Sequence, residues 1–121
     1  MTKKELQDRS KAFALSVLRL GACLPQRAEY QVIRNQLIRA ATAVGSNYRA
    51  ACRARSRRDF VSKLGIVEEE ADESLFWLEL LEGLGCGSPL LGDLLREADE
   101  LTAIITASRK TARGNDLRLE I

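Results

Sequence analysis

The chain contains no histidine. That excludes imidazole acid–base chemistry and every metal site that needs a His ligand, including the Glu-x-x-His arms of a di-iron carboxylate bundle. Only two prolines occur, Pro25 and Pro89, with eight glycines in 121 residues. Breakers this sparse leave long uninterrupted segments, and their Leu, Ala, Glu and Arg content favours helix. Aromatic residues make up 5% of the chain, which argues against base-specific readout of a nucleic acid. No run of eighteen apolar residues exists, so no segment reads as membrane-spanning. The N-terminal Met1-Thr2-Lys3-Lys4-Glu5 lacks the apolar core and cleavage site of a secretory signal, and a cytoplasmic protein is the expectation. Three cysteines, Cys23, Cys52 and Cys86, are dispersed without a C-x-x-C. Such a set reads as reduced thiols serving as small apolar fillers.

What is present describes one soluble domain: 45% apolar and 30% charged residues. The net charge of +2 conceals a split. Residues 1–63 hold 14 Lys and Arg against 4 Asp and Glu, or +10; residues 64–121 hold 5 against 13, or −8. Either the halves neutralise each other in the fold or one of them meets a partner.

Four apolar stripes repeat at helical spacing. Leu6, Ser10, Phe13, Val17, Leu20 and Leu24 mark the first, ended by Gly21 and Pro25. Ile33, Leu37, Ala40, Val44, Tyr48 and Ala51 mark the second, widened by Ile38, Ala41, Gly45 and Cys52. Phe60, Leu64, Val67, Ala71, Ser74, Leu78 and Leu81 mark the third, which Ser56 opens as N-cap with Asp59 at N3. Leu91, Leu94, Leu95, Ala98, Leu101, Ile105 and Ser108 mark the fourth, opened by Ser88 and Pro89 and closed by Gly114. The spacing predicts helices over 3–23, 29–54, 57–84 and 89–112. With short connections these pack as an all-α, up-down-up-down antiparallel four-helix bundle over residues 1–113, with a short tail at 114–121. Pairing across the corner near Arg55 places Gly45 at the level of Gly65, and sets Arg34 and Arg39 beside the acidic run of the third helix. Apolar residues off the main stripe, among them Ile66, Phe76, Trp77 and Leu80, predict a homo-oligomer.

Two constellations bear on function. The first is the corner between helices two and three, with Arg49, Arg53, Arg55, Arg57 and Arg58 in ten residues. In this topology the same end also collects Lys3, Lys4, Arg109, Lys110 and Arg113, against Glu5, Asp8, Asp59 and Asp116. Arg57 and Arg58 stand in the first turn of a helix, where the macrodipole disfavours cations, so local stability does not account for them. The patch fits a phosphate-bearing or acidic partner, or an end that is solvated or paired between subunits. Candidate nucleic-acid contacts are Arg49, Arg53, Arg55, Arg57, Arg58, Lys110 and Arg113.

The second is Glu69-Glu70-Ala71-Asp72-Glu73, an E-E-x-x-E pattern, with Glu97-Ala98-Asp99-Glu100 on the fourth helix. Carboxylates at i and i+3 or i+4 share a helical face and could hold Mg²⁺. This resembles the all-α nucleotide pyrophosphohydrolases and supplies the alternative reading, a Mg-dependent enzyme using Glu69, Glu70 and Glu73. The preferred reading pairs these acids with Arg34 and Arg39, and assigns no catalytic residue, metal or cofactor.

Gln36-Leu37-Ile38-Arg39-Ala40-Ala41, Ser46-Asn47 and Arg55-Ser56-Arg57-Arg58-Asp59-Phe60, with Leu24-Pro25 and Glu73, resemble a bacterial four-helix-bundle family first noticed in intervening sequences of large-subunit ribosomal RNA genes. Where many members continue Ala-Glu-Gly after Ser-Asn, this chain has Arg49-Ala50-Ala51. The resemblance implies a non-enzymatic bundle that assembles as a ring, a homopentamer. It is similar to the accessory protein of diversity-generating retroelements, which implies RNA or DNA, or a protein such as a reverse transcriptase, as partners. It implies structural or interface roles for Arg39, Asn47 and Glu73, and includes Arg55 in the family pattern.

Overall fold

A computed structural model describes the backbone of residues 1–120 and the side chains of residues 1–114. Four helices follow one another: α1 (Lys3–Ala22), α2 (Ala28–Cys52), α3 (Arg57–Gly83) and α4 (Leu91–Glu120). No strand occurs among the described residues. Each helix packs on its neighbours in sequence, α2 against α3 most extensively, and α1 meets α4 along the thinnest seam. The result is the up-down-up-down four-helix bundle that the four stripes predict.

Helix ends follow local chemistry. Thr2 and Glu5 form a capping box at α1: the Thr2 hydroxyl accepts from Glu5 N, and the Glu5 carboxylate accepts from Thr2 N, both at 3.0 Å. Ser56 Oγ accepts from Asp59 N at 3.0 Å. The Asp59 carboxylate reaches one residue further back than a capping box requires, to Arg55 N at 3.4 Å. Gly85, at φ +77°, ends α3 in a Schellman motif. Its N–H donates to Glu82 O, and Cys86 N–H donates to Leu81 O. Ser88 and Pro89 lie one short turn ahead of α4 instead of at its first positions. Ser88 Oγ accepts from Leu90 N and Ser88 O accepts from Leu91 N, so the helix begins at Leu91. At its other end α4 runs through Gly114, where the sequence predicts closure; one interior glycine costs only about 1 kcal/mol against alanine. The expected tail falls largely outside the described side chains.

The core is the four stripes turned inward. Phe13, Val17, Leu20, Leu37, Val44, Leu64, Val67, Leu78, Leu81, Leu101 and Ile105 are all buried. Ser10 and Ser74 are buried too, and each returns its hydroxyl proton to its own helix, at Gln7 O and Glu70 O. Ile38 and Cys52 pack partly buried against this core, as the wide face of α2 predicts.

The expected meeting of Gly45 and Gly65 does not occur. A Cβ on Gly45 would meet Ser10 O of α1 at 3.5 Å, and one on Gly65 would meet the Arg109 guanidinium of α4 at 3.0 Å. Distance from the corner fixes level along the bundle but says nothing about rotation: Gly45 points across to α1 and Gly65 to α4. Because 3.5 Å is ordinary van der Waals contact, Gly45→Ala is expected to be neutral or stabilising by up to about 1 kcal/mol. Gly45→Leu, which must push α1 away, is expected to cost about 1–3 kcal/mol. Chemical denaturation of both variants checks the pair.

Candidate nucleic-acid interface

The short corner between α2 and α3 projects its arginines at one end of the bundle, where two clefts open. The larger, of about 650 Å³, lies among Lys3 of α1, Cys52 at the end of α2, Arg55, Ser56, Arg57 and Phe60 of the corner and α3, and Ala107, Ser108, Thr111 and Ala112 of α4. It exists because α4 presents only small side chains there. The second, of about 520 Å³, runs between α1 and α2, with Lys4, Lys11, Arg49 and Arg53 on its walls and Ala14, Gly45 and Ser46 beneath. Among the described residues they together gather seven cations against one carboxylate, Asp8. A cleft of about 500 Å³ at the opposite end, lined by Cys23, Tyr30, Cys86 and both prolines, contains no charged residue.

The described carboxylates near the basic end are occupied; Asp116 lies outside the described side chains. Asp8 accepts from Lys4 Nζ at 2.9 Å. Asp59 accepts from Lys63 Nζ at 2.7 and 2.8 Å. Those bonds hold its carboxyl below the ordinary range, and Arg55 adds to the effect through its backbone N–H and its charge. Among the described residues Arg49, Arg53 and Arg57 form no ion pair. The Lys3 ammonium stands over the Phe60 ring, 4.8 Å from its centroid. Tyr48 is buried beneath this end; burial first and the neighbouring Cys52 second push its phenol up, so it stays neutral.

The remaining expected residues spread out. Arg58, Lys110 and Arg113 are exposed and line neither cleft. Arg109 is not part of the basic end. Its guanidinium lies on Gly65, donates to Val61 O at 3.3 Å and stands 3.6 Å from Glu68. Asn47 donates to Ala43 O of its own helix at 2.9 Å.

The acidic run is engaged by α2, in part as expected. Arg39 donates to Glu70 at 3.2 and 3.4 Å and to Glu73, while Glu69 and Asp72 face solvent. Arg34 does not join it. Its guanidinium turns to the end of α1, donating to Gly21 O at 2.8 Å, Leu24 O at 2.9 Å and Pro25 O at 3.3 Å. Five residues at about 100° each separate Arg34 and Arg39 by about 140° around α2, so they cannot face one neighbour. Glu97 and Glu100, the other half of the pyrophosphohydrolase pattern, are taken by Arg9. Its Nε and Nη2 donate to Glu97 at 2.7 and 2.6 Å, and Nη2 also donates to Glu100. The hydrogen bond to Glu97, chiefly, raises the guanidinium above its already high range. Arg9 escapes a reading of the sequence stripe by stripe; pairing the levels of α1 and α4, as for α2 and α3, is the signal that could find it.

The model of the family described as 23S rRNA-intervening sequence protein matches residues 2–107. The chain is similar to a solved protein of unknown function from the S23 ribosomal protein family of Bacteroides thetaiotaomicron. Identity is 30% and the TM-score 0.81, with 91% of this chain and 99% of that one covered. No curated protein matches.

Arg9 and Glu97 are half-buried, each 27% exposed, on the thinnest seam, whereas Arg39 is 50% exposed on the best-packed one. Arg9→Met is therefore expected to lower stability by about 1–3 kcal/mol, and Arg39→Met by no more than about 1 kcal/mol. Urea denaturation of the two variants side by side measures the difference.

Proposed function

The chain belongs to the 23S rRNA-intervening sequence protein family, and from that premise we propose a non-enzymatic, oligomeric module whose basic end binds nucleic acid through its phosphates, without base-sequence preference. The observation that carries this reading is the concentration of cations in two adjoining clefts at one end, facing, among the described residues, a single carboxylate that already has a lysine. Exposed guanidinium groups gathered in this way suit phosphate oxygens, which accept their bidentate hydrogen bonds. The two acidic clusters that would serve an enzyme each bracket an arginine. A divalent cation would have to displace that guanidinium first, which is why the binding module is preferred to the hydrolase.

Self-association has its own support. Ile66, Phe76 and Leu80 on α3 and Leu84 at its C-cap are exposed and fall within about 80° of arc around the helix. Such a stripe suits a second copy, and a ring of five is the arrangement the family resemblance implies. A ring would repeat each basic end and multiply weak contacts to one strand. A protein partner, such as a reverse transcriptase that handles the same nucleic acid, fits the same end. Light scattering is expected to give an oligomer at micromolar concentration; a monomer there removes this part of the reading.

The binding experiment is a titration of labelled RNA and DNA of unrelated sequences at several salt concentrations. Affinity is expected to fall steeply with salt as counterions are released. Replacing Arg53, Arg55, Arg57 and Arg58 together with Ala is expected to weaken binding at least tenfold, about equally for every sequence, and to flatten the salt slope by about 1 for each arginine that meets a phosphate. A wild type that binds neither RNA nor DNA at low salt, or a quadruple variant that binds as well, overturns the proposal.

A further inference from the structure

The larger cleft contains more than charge. Of the aromatic side chains near the basic end, Tyr48 is 3% exposed and cannot meet a ligand. Phe60 differs: it is half-buried on the first turn of α3, lines the cleft, and turns a ring face to the Lys3 ammonium. The ring also packs against the core, but Lys3 is exposed and forms no ion pair among the described residues, so no carboxylate holds its ammonium over the ring. Arg55 and Arg57 flank the ring, and the α4 wall opposite offers the hydroxyls of Ser108 and Thr111. The volume, about 650 Å³, suits a small-molecule-sized group.

We propose that this cleft takes an unpaired base of single-stranded nucleic acid, stacked on Phe60 where the Lys3 ammonium now lies, with the flanking phosphates held by Arg55, Arg57 and the displaced Lys3. This rests on the nucleic-acid reading above and narrows it. A ring face held only by a cation–π contact accepts a base in its place, because each partner is drawn to the same π-surface. A base inside a duplex cannot enter a cleft walled by the corner on one side and α4 on the other, so the occupant is a single strand. Sequence tolerance follows, since every base offers a π-face. The hydroxyls of Ser108 and Thr111 can meet the edge of any base, as each donates and accepts.

The test uses the full chain at low salt with four probes: a short oligothymidylate, the same length of blunt duplex, thymidine monophosphate, and a single strand carrying 2-aminopurine, whose fluorescence is quenched on stacking. Three variants accompany it. Phe60→Leu keeps apolar contact with the core but removes the π-face, Phe60→Tyr restores the face, and Thr111→Leu narrows the cleft from an exposed position without changing charge. The wild type is expected to prefer the single strand to the duplex and to quench 2-aminopurine. Phe60→Leu is expected to weaken single-strand binding about tenfold and abolish quenching while leaving duplex binding unchanged. Phe60→Tyr should recover both signals, and Thr111→Leu should weaken single-strand binding with its fold intact. Equal binding and quenching by Phe60→Leu or by Thr111→Leu, or equal affinity of the wild type for duplex and single strand, overturns the stacking site but leaves phosphate binding by the basic end standing. Thymidine monophosphate bound as tightly as the oligomer overturns the strand as occupant. A wild type that binds no nucleic acid removes the parent reading as well.

Discussion

Among the described residues an arginine ties each seam of this bundle. Arg34 joins α2 to the carbonyls at the end of α1, Arg39 joins α2 to α3, Arg109 joins α4 to α3, and Arg9 joins α1 to α4. Apolar burial holds the helices together, but burial is non-directional and tolerates rotation of one helix against the next. A guanidinium fork that must meet carboxylates at i and i+3, or carbonyls at a helix end, tolerates much less. Arg9 and Arg39 use the same device, each set between two glutamates three residues apart. Side chains that look like surface charge therefore add direction to a packing whose buried faces the apolar stripes already select.

That arrangement also sorts the cations by role. Arginines along the middle of the bundle find carboxylates or carbonyls; Arg49, Arg53 and Arg57 around the corner find no carboxylate among the described residues, because the nearby acids are taken by lysines of their own helices. The corner bears a local electrostatic cost as well. Arg57 and Arg58 sit where the α3 dipole is positive, each unfavourable by about 0.3–1 kcal/mol. Ser56 and Asp59 offset it by capping the orphan N–H groups of the same turn. A strong cap permits a basic first turn, and the far end of the bundle, whose cleft has no charged lining, shows that the fold itself does not require one.

Much of the fold is legible in the sequence because periodicity reports which face of a helix is buried. Leu6 through Leu24, Ile33 through Ala51 and Leu64 through Leu81 are buried as their spacing predicts. The corner and its cap are legible because capping chemistry is local. What periodicity does not carry is rotation between helices. Gly45 and Gly65 share a level and face different neighbours, and Arg34 lies too far around α2 to reach the acids that Arg39 holds. Arg9 stays hidden because its partners lie 88 and 91 residues away on a helix it touches only thinly. The Phe60 ring is visible near the corner, but sequence alone does not reveal that it lines a cleft facing a wall of small α4 residues.

The thin seam between α1 and α4 has a meaning in time as well as in space. The other three seams join helices adjacent in sequence, so each closes over a short loop and can form early. The fourth must bring residue 9 to residue 97, 88 residues further along the chain, and so closes the longest loop of the four. Closing the chain on itself therefore meets the largest loop-closure cost with the smallest contact area of the four seams. The larger cleft lies between Lys3 at the start of α1 and the wall of α4, so its width is governed by the least committed contact in the molecule.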